Sequence, residues 1–234
     1  MTLHPPFGAI MAGGENRRYG SHKALAQIAG ERIVERVQRA LRAVTPDLVL
    51  ITNEPEVYAP LGLPMRSDLL PGLGVLGGIY TALMWALQEG RPGILAVACD
   101  MPFVNPLLLS RLLGEGYAAD VVAPESPGPR GLEPLCAFYG TRCVDPIEAA
   151  LARGNKEIIG FFDKVRVHRL PLDEVQLYGE PEVLFLNVNT PEERERAEQI
   201  AARLAAKAPS GPGAAVRAPG AVASAPAPAP GQHG

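Results

Sequence analysis

At 234 residues and 47% hydrophobic content, the chain is long enough to bury one sizeable core. A formal net charge of −3 leaves no basic surplus, which argues against nucleic acid or an anionic membrane surface as partner. No run reaches the roughly 18 apolar residues of a membrane helix, and residues 1–6 lack a secretory pattern, so a cytoplasmic protein is expected. Cys99, Cys136 and Cys143 have no metal-type spacing, and an odd count suits a reducing compartment. Cys99 and Cys136 fall in apolar runs and read as core residues.

Strand-like and helix-like segments alternate along the chain. Phe7 to Met11 is a short apolar strand, followed by the glycine-rich stretch "MAGGENRRYGSHK" (11–23). In "ERIVERVQRALRAV" (31–44), Ile33, Val34, Val37, Leu41 and Val44 recur at helical spacing. "DLVLITN" (47–53) and the short "MRSD" (65–68) read as strands. "GGIYTALMWALQEG" reads as a helix that stops at Gly90. The continuous apolar run "GILAVACD" (93–100) suits a parallel strand covered on both faces. Asn105 and Pro106 read as N-cap and first residue of the next helix. Further strands are expected at 120–125, 134–140, 165–170 and 183–189. Thr190-Pro191-Glu192-Glu193 is a capping box that opens a last helix running to about Lys207.

This alternation predicts an α/β sandwich around a mostly parallel sheet, with an antiparallel excursion in the second half. Ligands of such sheets bind at the carboxyl ends of the strands. The glycine stretch, Asp68 and Asp100 each follow a strand and are therefore expected along one edge. Beyond about Ala208 the sequence is alanine, proline and glycine with almost no charge, a disordered or polyproline-like tail.

Taken alone, Gly13 and Gly14 with Arg17, Arg18 and Lys23 read either as an ordinary turn with solvated charges or as a phosphate cradle. Neither the Walker spacing nor the dinucleotide Gly-x-Gly-x-x-Gly is present. What remains is Ala12-Gly13-Gly14, three residues, Arg18, an aromatic, Gly20, two residues and Lys23. This order resembles the signature of the molybdenum cofactor guanylyltransferase family. "LLPGLGVLGGI" (69–79), "CDMPFVNP" (99–106), "EPLCAFY" (133–139) and "FLNVNTPEE" (185–193) resemble that family's later motifs, in order, to about residue 200. Two positions depart from the pattern: His22 stands where Asp or Asn is usual, and Tyr19 where Met or Phe is commoner.

The resemblance implies a three-layer α/β/α, Rossmann-like nucleotidyltransferase domain over 1–207, of the nucleotide-diphospho-sugar transferase type, with 208–234 as the tail. It implies transfer of GMP from GTP to the phosphate of molybdopterin, with pyrophosphate released and Mg2+ as cofactor. Arg18, Lys23 and Asp100 are the catalytic set it implies, with Asp100 on the metal. Met11, Ala12, Gly13, Gly14, Lys23, Asn53, Asp68 and Asp100 would meet the nucleotide. Gly74, Gly78, Asn187 and Asn189 would face the acceptor. The implied partners are GTP and molybdopterin, with transient contact to proteins that handle or receive the cofactor, and neither nucleic acid nor membrane. A carboxylate such as Asp68 suits guanine, whose N1–H and 2-amino group form a donor pair that cytosine lacks.

Three other readings stay open on the sequence: cytidylyl transfer to molybdopterin, nucleotidyl transfer to a sugar phosphate, and a non-catalytic nucleotide-binding adaptor. The tail's composition leads to a first prediction. Removing 209–234 is expected to leave turnover and melting temperature unchanged, because the segment offers too little apolar surface to offset its ordering entropy. Thermal melting and pyrophosphate release of the truncated chain check this.

Overall fold

The computed structural model describes residues 4–13 and 25–207. The calls on Gly14, Arg18, Lys23 and the tail lie outside the described residues. In chain order the elements are β1 (Phe7–Met11), a hairpin of β2 (Gln27–Ile28) and β3 (Glu31–Arg32), α1 (Ile33–Arg42), β4 (Leu48–Ile51), α2 (Pro55–Tyr58), β5 (Met65–Arg66) and α3 (Gly74–Gln88). There follow β6 (Gly93–Ala98), α4 (Pro106–Glu115), β7 (Val121–Pro124), β8 (Cys136–Gly140), α5 (Val144–Ala152), β9 (Val167–Leu170), α6 (Leu172–Gln176), α7 (Pro181–Leu184) and α8 (Pro191–Lys207).

Seven strands form one sheet in the order β5-β4-β1-β6-β8-β7-β9. β1 pairs parallel with both β4 and β6, β4 with β5, and β7 with β9. β8 runs antiparallel to β6 and to β7, so the expected excursion is this one strand. The period-2 alternation of the strands builds two cores. Ile10, Leu50, Leu95 and Val97 pack under α1 and α4, while Ala9, Val49, Ala96 and Met11 pack under α3 and α5. This is the three-layer sandwich the sequence predicts.

The helix boundaries have local causes. Asn105 caps α4 by accepting a hydrogen bond from the Leu107 amide at 2.7 Å, ahead of Pro106. Thr190 and Glu193 close the capping box of α8, with the Glu193 amide donating to Thr190 Oγ1 at 3.1 Å and the Thr190 amide to Glu193 Oε2 at 3.0 Å. Cys136 and Cys143 are fully buried, as core thiols, whereas Cys99 is half-buried against the α1 side.

One predicted strand is absent. Residues 183–189 contain the end of α7 and then an irregular segment. Pro181 starts a helical turn, and the Phe185 amide donates to the Pro181 carbonyl at 3.1 Å. The apolar residues that mimic a strand, Val183, Leu186 and Val188, pack instead on Ile28, Ile33, Ala197 and Ile200, a small third core between the hairpin and α8. Among the described residues, no helix is long and apolar enough to cross a membrane.

At the amino edge of the sheet Asp120 is saturated. Its carboxylate accepts from the Arg166 amide at 3.0 Å and from the Arg166 guanidinium at 3.0 and 3.1 Å, with Arg142 at 3.6 Å. The Arg166 bonds hold its carboxyl down at about 2. A depressed pKa stabilises the fold above the ordinary carboxylate value and loses that contribution as pH falls through the folded value. Asp120→Asn is therefore expected to lower the melting temperature at pH 7 by roughly 2–4 °C, on the order of 1 kcal/mol. The gap between variant and parent should narrow as pH drops from about 4 toward 2, as thermal melting across that range would record.

Candidate active site

The parallel strands deliver their carboxyl ends to one edge, and the candidate residues collect there. Met11, Ala12 and Gly13 leave β1 held on both sides. The Ala12 amide donates to the Ile51 carbonyl at 2.9 Å, and the Cys99 amide to the Met11 carbonyl at 3.1 Å. Met11 and Ala12 are thereby fixed between β4 and β6.

On the β4–β5 side Asn53 and Asp68 form a reciprocal pair. Asn53 Nδ2 donates to Asp68 Oδ2 at 2.9 Å, and the Asp68 amide donates to Asn53 Oδ1 at 3.0 Å. Asp68 Oδ1 is shielded from solvent and has no hydrogen-bond partner among the described residues. A buried acceptor left this way costs about 1–3 kcal/mol, more when charged, unless something donates to it. Gly13 and Gly78 face this carboxylate. A Cβ at Gly13 would stand 3.7 Å from Asp68 Oδ2. A Cβ at Gly78 would meet the Met11 methyl at 2.9 Å and Asp68 Oδ1 at 3.5 Å. Glycine at 78 thus lets α3 press directly against the end of β1 and the carboxylate.

On the β6 side Asp100 follows the strand by two residues and is half-buried. The Val188 amide donates to the Asp100 carbonyl at 3.0 Å, which brings Asn187 and Asn189 beside it. Asn187 Nδ2 donates to the Phe185 carbonyl at 3.3 Å, and the Asn189 amide to Glu193 Oε2 at 2.6 Å. Gly74 lies at the start of α3 with φ +62° and open space around its Cα. The edge therefore unites Met11, Ala12, Gly13, Asn53, Asp68 and Gly78 on one side of β1, and Asp100, Asn187 and Asn189 on the other.

Glu133 opens the stretch "EPLCAFY", and the sequence alone assigns it no role. The β6–β8 register pairs Val97 with Cys136, and the Ala98 amide donates to the Leu135 carbonyl at 2.9 Å. Past these pairs both segments turn, with the Met101 amide donating to the Ala98 carbonyl at 3.4 Å and the Cys136 amide to the Glu133 carbonyl at 3.2 Å, and Glu133 lies near enough to Asp100 for their charges to interact. Burial pushes the Glu133 carboxyl above its ordinary range, and the charge on Asp100 adds to the push, against the Leu135 amide and Arg130. By running antiparallel to β6, β8 brings Glu133 to the Asp100 end of that strand. Tyr58, fully buried beside Cys99, has its hydroxyl pushed up by burial as well.

Among the described residues no group of three or more His, Cys, Asp or Glu is arranged to hold a metal ion. One strand-end carboxylate with amide oxygens nearby fits a hard cation that draws most of its shell from phosphate and water. The donor chemistry at Asp100 is of that kind.

A family model described as a MobA-like NTP transferase domain matches residues 8–169. The chain belongs to this family. It is 36% identical over 194 residues to a molybdenum cofactor guanylyltransferase of Desulfosudis oleivorans, covering 82% of this chain and 93% of that protein. It is 33% identical over 196 residues to a molybdenum cofactor guanylyltransferase of Cereibacter sphaeroides, covering 83% and 96%. Among solved structures, molybdopterin-guanine dinucleotide biosynthesis protein A of Archaeoglobus fulgidus matches at a TM-score of 0.69 and 27% identity, over 84% of this chain and 99% of that one. This chain is thus a nucleotidyltransferase enzyme with the α/β architecture of its relatives.

Gly13 yields a prediction that separates site from scaffold. A methyl there fits at ordinary contact distance, so Gly13→Ala should melt within about 1 °C of the parent, as surface changes do. The same methyl stands over the Asp68 carboxylate, and nucleotide affinity should fall about tenfold through the unpaired acceptor it creates. Calorimetric titration with nucleotide beside a thermal melt checks both.

Proposed function

We propose that this chain transfers GMP from GTP to the phosphate of Mo-molybdopterin and releases pyrophosphate, in the cytoplasm, through one nucleotidyltransferase domain spanning 1–207. The observation that carries the choice of base is Asp68, a carboxylate with one oxygen spent on Asn53 and the other buried without a donor among the described residues. The N1–H and 2-amino group of guanine form an adjacent donor pair that matches a carboxylate, whereas cytosine offers only its 4-amino group as donor. The similarity to guanylyltransferases supports the same reading.

A phosphate monoester is mostly dianionic at pH 7, with a second pKa near 6, so the acceptor needs no protein base. One of its oxygens attacks the α-phosphorus of GTP. The new P–O bond forms as the bond from the α-phosphorus to the bridging oxygen breaks, and the electron pair leaves with pyrophosphate. The chain's task is alignment and charge neutralisation. Met11, Ala12 and Gly13 offer backbone to the base and sugar, with Gly14 extending that backbone. Lys23 and Arg18 supply cations to the phosphates. A cation about 4 Å from one phosphate charge is worth roughly 4 kcal/mol at an effective dielectric of about 20. Asp100 would hold Mg2+, and the ion when bound would supply charge neutralisation at the phosphates. Asn187 and Asn189, tied to Asp100 through Val188, face the acceptor side, with Gly74 and Gly78 leaving room for its approach. Proteins that handle or receive the cofactor would meet this same edge.

The test offers the purified chain Mg2+ and molybdopterin with GTP, CTP, ATP or UTP in turn, and follows pyrophosphate. GTP is expected to be preferred about tenfold to hundredfold, the scale of one or two unpaired buried groups. Asp100→Asn should abolish turnover while the far-ultraviolet spectrum and melting stay unchanged. A preference for CTP would replace this reading with cytidylyl transfer. Turnover only with a sugar phosphate would keep the enzyme class and change the acceptor.

A further inference from the structure

The Asp68 carboxylate is aimed by a second device, which the nucleotide-contacting residues do not include. Thr81 lies in α3, fully buried, with its hydroxyl doubly engaged. Thr81 Oγ1 accepts from the Leu69 amide at 2.9 Å and donates to the Gly77 carbonyl at 2.9 Å. Leu69 is the residue after Asp68, and Gly77 precedes Gly78, whose Cα faces Asp68 Oδ1. One hydroxyl therefore ties the peptide that carries the carboxylate to the helical turn that the carboxylate packs against. Asn53 fixes the other end, taking the Asp68 amide and Oδ2. With the Asp68 amide and Oδ2 held by Asn53 and the next amide held by Thr81, its Oδ1 keeps one position before a ligand arrives.

We infer that Thr81 is a positioning residue for base selection, acting through Asp68. The inference rests on the reading that Asp68 meets the base. A hydroxyl in mid-helix that bonds back to the carbonyl four residues earlier slightly weakens a helix on its own. Here it gains its second partner only from the Asp68–Leu69 loop. Valine has the shape of threonine without the hydroxyl and would leave the Leu69 amide and the Gly77 carbonyl without this partner. Serine keeps both bonds.

The experiment titrates GTP and CTP separately into the full-length chain with Mg2+, by calorimetry, for the parent, Thr81→Val, Thr81→Ser and Asp68→Ala. Thr81→Val is expected to lose about tenfold in GTP affinity and less than about twofold in CTP affinity, with Thr81→Ser near the parent on both. A folded Thr81→Val that keeps the parent's GTP-to-CTP ratio overturns the inference, and so does an equal loss on both nucleotides. If Thr81→Val does not fold, Thr81→Ala serves the same comparison with no added bulk. The Asp68→Ala arm tells the two failures apart. If it preserves the ratio, base reading by Asp68 falls and this inference falls with it. If it erases the ratio while Thr81→Val does not, only the role of Thr81 is lost.

Discussion

The burial of β1 on both faces and its hydrogen bonding on both edges govern everything that happens at the site. A strand held by β4 on one side and β6 on the other cannot shift register without exchanging its two core faces. Met11, Ala12 and Gly13 therefore emerge at one place, still bonded to Ile51 and Cys99. Asp68 and Asp100 lie to either side of that point. Their separation across the edge is set by strand spacing rather than by their own contacts, which is how a rigid scaffold places charges before any ligand arrives.

Three aspartates in this fold show how environment divides one side chain into different tasks. Asp120, at the amino edge, has every oxygen met by arginine or amide and serves cohesion. Asp68, at the carboxyl edge, is held by the neutral Asn53, with one oxygen buried and unmet among the described residues. Such a clamp places no cation on the carboxylate, unlike the arginines around Asp120. Asp100 lies at the carboxyl end of β6, where its charge adds to the burial that lifts the Glu133 carboxyl.

The last helix ties the hairpin to the segment beside Asp100. Glu198 on α8 accepts from the Ala29 amide at 2.9 Å, and Arg194 Nε donates to the Gln27 carbonyl at 3.3 Å. The hairpin that follows the glycine stretch is thus braced by the same helix whose N-terminal approach carries Asn187 and Asn189. The small core of Ile28, Ile33, Val188 and Ile200 completes that brace.

Much of this architecture was legible from local pattern. Strand and helix alternation, the Asn105 and Thr190 caps and the carboxyl-edge location of Gly13, Asp68 and Asp100 follow from periodicity and from the geometry of parallel sheets, which act over a few residues. The segment 183–189 was misread because its apolar residues are buried against α8 and the hairpin, and periodicity cannot say which surface an apolar residue will meet. The pairing of Asp68 with Asn53, 15 residues away, and its tether through Thr81 were invisible for the same reason. The approach of Glu133 to the Asp100 end of β6 needed the reversed direction of β8, a choice made by packing of the whole sheet. Residue types and their order determined the chemistry available at this edge; the crossing of distant strands decided which groups are satisfied there and which oxygen is left for a ligand.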